Sequence, residues 1–156
     1  MNMRKLISGA ALACAFMAAS ALSAGPDDIL GNWKTENAKS VVSIFKCGPQ
    51  NDKYCGSIVS LAEPNYPAND EKGMGGKPKV DRNNPDASRR NNPIIGLFLM
   101  WGFQPDGEGK WASGQIYDPE SGKIYSCKMT LQGPGVLEVR GFVGVSFLGR
   151  TSVWTR

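Results

Sequence analysis

Apolar and polar residues alternate along most of the chain, with short breaks rich in glycine, proline, asparagine and aspartate. The pattern is cleanest in Lys123–Leu131. Tyr125, Cys127, Met129 and Leu131 share one face, and Ser126, Lys128 and Thr130 share the other. A period of two is the signature of a strand with one buried side. Eight segments read this way: Leu30–Glu36, Ser40–Cys47, Cys55–Leu61, Ile94–Phe103, Lys110–Tyr117, Lys123–Leu131, Val136–Phe142 and Arg150–Arg156. The connections Gln104–Gly109, Asp118–Gly122 and Gln132–Gly135 have the composition of hairpin turns. The expected fold is all-β, an eight-stranded antiparallel up-and-down barrel with one long loop between strands 3 and 4. Eight strands close a barrel just wide enough for side chains or one small ligand, and closure removes exposed sheet edges.

Two segments break the alternation. Ile94–Trp101 is apolar on both faces. It fits a strand covered outside by the long loop, a strand at a dimer interface, or a helix capped at Asn92 with Pro93 in its first turn. The covered strand is the favoured expectation. Phe142–Gly149 is a second apolar run, and its glycines suit a short helix or bulged corner plugging one barrel end. Residues 62–93 form the long loop. They hold five prolines and few apolar residues, and carry Lys72, Lys77, Lys79, Arg82, Arg89 and Arg90. Such a loop is expected to add little to the fold. Lys77, Lys79, Arg82, Arg89 and Arg90 are its candidates for attracting an anionic head group or membrane surface.

The first residues change the compartment. Met1–Lys5 is basic, Leu6–Leu22 is apolar, and Ser23-Ala24-Gly25 is small. This reads as a signal peptide over 1–24, leaving a barrel domain over 25–156 in the periplasm or outside the cell. Net charge is +4 over the whole chain, but the leader contributes Arg4 and Lys5, so the remainder is nearly neutral. Nucleic acid is not an expected partner. In an oxidising compartment Cys47 and Cys55, flanking the short loop Gly48–Tyr54, are expected to pair. Cys127 is expected as a buried free thiol. With no histidine in 156 residues, histidine triads and histidine metal sites are excluded. Asp81, Asn83 and Asp86 only loosely resemble calcium ligands, because Pro85 intrudes and the spacing is not that of an EF-hand. The chain is expected to be non-enzymatic, with no cofactor and no metal.

Gly31-Asn32-Trp33 opens the first strand, and Trp154-Thr155-Arg156 ends the last. This resembles the closure of a lipocalin-type barrel, in which the tryptophan plugs one end under a basic residue. Trp33 and Arg156 are therefore the expected closure pair. Together with Cys47…Cys55-Gly56-Ser57, Asp81–Asp86, Gly114–Pro119, Gly122–Tyr125 and Gly149–Arg156, the chain resembles the exported bacterial family filed as DUF 2147, a domain of unknown function. That resemblance implies a lipocalin-like barrel and carries no catalytic residues. The expected barrel lining is Trp33, Leu99, Trp101, Trp111, Tyr125 and Met129, suited to a small hydrophobic, amphipathic or lipid-like ligand. The alternative is an envelope interaction protein with a filled barrel. It would use the apolar runs Ile94–Met100 or Phe142–Leu148 to form a homodimer or hold a partner.

Overall fold

The computed structural model describes residues 24–156; most of the expected signal peptide lies outside the described residues. Eight strands form one closed antiparallel barrel in sequence order. They are β1 (Gly31–Lys34), β2 (Ser40–Cys47), β3 (Lys53–Leu61), β4 (Phe98–Pro105), β5 (Lys110–Asp118), β6 (Lys123–Gly133), β7 (Val136–Phe142) and β8 (Arg150–Thr155). The barrel closes where Lys34 of β1 pairs with Thr155 of β8. The expected architecture is therefore the observed one, and Cys47 and Cys55 form a disulfide across the β2–β3 hairpin.

Alternation sets the inner face. Trp33 and Val42 pair across β1 and β2, and Trp111, Met129 and Val139 lie in register across β5, β6 and β7. All five are buried. Two glycines on the same face make room for larger neighbours. A Cβ on Gly56 would sit 2.8 Å from the Met100 Cγ, and one on Gly114 would collide with the Phe103 ring. Without those side chains, Met100 and Phe103 fit inside, where both are fully buried.

β4 departs from the expected strand. It begins at Phe98, and Ile94–Leu97 is a turn in which Leu97 N–H donates to Ile94 O and Gly96 adopts φ +93°. The long loop does not cover the outer face of β4. Phe98 there is half exposed. The register steps from Gly56↔Met100 to Ser57↔Phe98, which leaves Leu99 as an extra residue, so Leu99 and Met100 are both buried.

Candidate functional site

One end of the barrel is sealed. The segment before β1 runs across it, placing Ile29 fully inside. The Trp33 indole N–H donates to Ile29 O at 2.8 Å. The Arg156 guanidinium lies over the Trp33 ring, 4.4 Å from its centroid, as the closure pair requires. It also donates to Pro134 O, Leu30 O and Asp28 O, at 2.8, 3.2 and 2.9 Å. A fixed guanidinium satisfying three carbonyls ties β8 to the entry segment more firmly than a cation–π contact alone. Beside it, the Tyr54 hydroxyl donates to Asp27, which also pairs with Lys46. Burial, then the bond to Asp27, pushes the Tyr54 phenol up to about 12.

The interior is packed with side chains. Trp33, Met100, Phe103, Trp111, Met129 and Leu137 are all at most 1% exposed. Five of the expected lining residues do face inward. Trp33, Leu99, Trp111 and Met129 belong to the core cluster, and Tyr125 sits opposite Ile116 toward the other end. Trp101 does not. Its indole N–H donates to Gln115 at 2.9 Å, and its ring stacks on exposed Phe98. The extra residue at Leu99 shifts the parity of β4 and turns Trp101 to the outer wall. Cys127 is a buried free thiol, and burial pushes its pKa up to about 12. It is therefore a poor nucleophile. The Trp111 indole N–H is buried with no acceptor among the described residues.

Two hollows open to the surface. Trp101, Gln115, Ser126 and Phe142 stand in one register row across β4–β7 and line a hollow of about 460 Å³ in the barrel wall, which also reaches Gly114 and Cys127 of the inner face. A second hollow, of about 620 Å³, lies at the sealed end beside Asp28, Glu108 and Leu131. At the opposite end, the Phe142–Gly149 run does not plug the barrel as expected. It makes a short 3₁₀ turn over Ser146–Leu148 and leaves Val143, Val145, Phe147 and Leu148 51–77% exposed.

The long loop is an integral part of the structure, contrary to expectation. Asp81 is 1% exposed. It accepts from the Tyr117 hydroxyl on the outer face of β5 at 2.7 Å and from Asn84 at 2.6 Å. Asn83 donates to Pro119 O and Glu120 O in the β5–β6 turn. Arg82 donates to Asp70 at 2.8 Å and lies over the Tyr66 ring, 4.1 Å from its centroid. Arg82 is thus an internal tie and belongs to no free cationic surface. Arg89 turns to Asp86 and Arg90 to Asn84 O, while Lys79 approaches Glu63 at 3.9 Å and Lys77 is exposed. Asp81, Asn83 and Asp86, the loose calcium set, point to different protein partners. The Asp81–Tyr117 pair spans 36 residues, and no local sequence pattern announces it.

Comparison with known proteins agrees with this geometry. No curated protein matches the chain. A solved structure described as "Protein HP1028 from the human pathogen Helicobacter pylori belongs to the lipocalin family" superposes with a TM-score of 0.66 at 23% identity, covering 82% of each chain. That likeness concerns the fold. The family model described as an uncharacterized protein conserved in bacteria (DUF2147) matches residues 31–156, almost all of the described barrel, and the chain belongs to that family.

Proposed function

We propose that this protein is an exported, non-catalytic binding protein that meets its partner on the outer surface, with the barrel as scaffold. The observation that carries this reading is the filled interior. Gly56 and Gly114 give up their side chains so that Met100 and Phe103 can occupy the centre. A drug-sized ligand needs roughly 300 Å³ or more. Two hollows of that size open to the surface, one through the β4–β7 wall and one at the sealed end. Large apolar side chains that are exposed, Phe98, Phe147 and Leu148 among them, offer the contact area instead. The disulfide and the apolar leader support export.

A small hydrophobic or lipid-like ligand inside the barrel is the second reading. It is favoured by the Trp111 indole N–H, a buried donor that an acceptor atom inside would satisfy. Native mass spectrometry of protein recovered from its own host separates the two. The first reading predicts the mass of the chain alone. A stoichiometric co-purified small molecule, lost on Met100→Trp substitution, would establish the second.

A further inference from the structure

The β7–β8 connection, residues 143–149, combines three properties. Its apolar side chains are outward: Val143 is 71% exposed, Val145 51%, Phe147 77% and Leu148 70%. It is also held in place. Arg140 Nε donates to Ser146 O at 2.7 Å, its Nη2 to Phe147 O at 3.0 Å, and its Nη1 to the Thr151 hydroxyl at 2.7 Å. Lys128 Nζ reaches the Ser146 hydroxyl at 3.4 Å. Gly149 lies so close to the Gly141 carbonyl that a side chain there would collide with it. The exposure is therefore built into the loop. Finally, the apolar tip is bordered by cations. Lys128 and Arg140 form no ion pair among the described residues, and Arg150, almost fully exposed, approaches Glu36 only at 3.8 Å. The acids on the neighbouring elements are Glu36 and Glu138.

We propose that this loop docks the protein on an anionic lipid surface, with Phe147 and Leu148 entering the acyl boundary, Lys128 and Arg150 facing the phosphates, and Arg140 holding the loop in place. The proposal rests on the outer-surface reading above and names its partner. A rigid apolar tip flanked by basic side chains is the chemistry of interfacial binding. A second copy of the chain fits less well. Stable dimers bury about 800 Å² per partner, and a seven-residue loop with four exposed apolar side chains supplies little of that area. The membrane-facing element is thus this loop. The 62–93 loop, whose Arg82 and Arg89 are taken by carboxylates, is secondary to it.

Flotation of the protein, produced from the full chain, with vesicles of equal parts phosphatidylglycerol and phosphatidylcholine tests this. Binding at low salt is expected, falling by about tenfold on pure phosphatidylcholine and fading as salt shortens the Debye length to about 8 Å. Phe147→Ser with Leu148→Ser should reduce binding by at least about tenfold at unchanged melting temperature. Arg150→Gln should reduce it by about fivefold. A Phe147→Trp variant should shift its emission to the blue on mixed vesicles, even if the double variant proves poorly folded. No binding to mixed vesicles at low salt, or binding indifferent to both loop variants, overturns the proposal. A dimer that depends on Phe147 and Leu148 in place of vesicle binding also overturns it and leaves the outer-surface reading standing. A ligand found inside the barrel overturns that reading, independently of the vesicle result.

Discussion

A hydrogen atom in place of a side chain at position 114 decides how the centre of this barrel is filled. Any Cβ there meets the Phe103 ring, which is itself fully buried and cannot swing out. Gly114→Ala should therefore cost about 1–3 kcal/mol, the usual penalty of an overfilled core. Gly56→Ala should cost less, because its neighbour is the flexible Met100 thioether chain. No measurable loss in urea melts of Gly114→Ala would show that the barrel centre has slack. Trp33→Ala at the sealed end should cost about 3–5 kcal/mol. Removing Arg156 should cost less, about 1–2 kcal/mol, since its contacts are exposed. Tyr54 gives a pH signature. Its native pKa, about 12, lies above the ordinary value near 10, so the native state keeps the proton while the unfolded chain loses it. Stability should fall as pH rises from about 10 to about 12. Tyr54→Phe should flatten that fall, and an unchanged alkaline slope in Tyr54→Phe would contradict the assignment.

At the scale of elements, the strands were legible because alternation and turn residues are local signals. β2, β5, β6 and β7 begin at the positions the pattern marks. β4 begins later than its apolar pattern suggests, for a physical reason. Ile94–Leu97 is apolar on both faces, which a buried strand and a tight turn share, and the bond from Leu97 N–H to Ile94 O with the left-handed Gly96 shows which it is. The same strand misplaced Trp101. Leu99 and Trp101 are two apart and should share a face, but the extra residue opposite Ser57 breaks the count. The long loop was underestimated because its stability is polar and long-range. Asp81→Ala leaves the Tyr117 hydroxyl without its acceptor, so it should cost about 1–3 kcal/mol and expose the 62–93 loop to protease. Unchanged melting and unchanged proteolysis would return the loop to the status of a loose connection. Replacing Cys47 and Cys55 together by Ser should cost about 2–3 kcal/mol, the expected worth of so short a ring. Cys127 should stay unreactive to thiol reagents until the protein unfolds, as its burial dictates.

For the molecule as a whole, packing decides between storage and display. A barrel of eight strands can hold a ligand or its own side chains. Here Trp33, Met100, Phe103, Trp111, Met129 and Leu137 fill it. The lipocalin resemblance was readable from Gly31-Asn32-Trp33 and from Trp154-Thr155-Arg156. The filling was not. It depends on which residues of four strands meet at one level, and local alternation carries no such information. Two methionines make that interior observable, because Met100 and Met129 are buried at its centre while the β7–β8 loop lies outside. The most direct measurement is a methyl and amide NMR titration of the protein with a short-chain anionic phospholipid below its micelle concentration. A filled barrel predicts shifts confined to residues 143–150 and their neighbours Lys128 and Arg140, with the Met100 and Met129 methyl signals unmoved. Saturable shifts of those two methyls, with the loop unaffected, would place the ligand inside the barrel and contradict it.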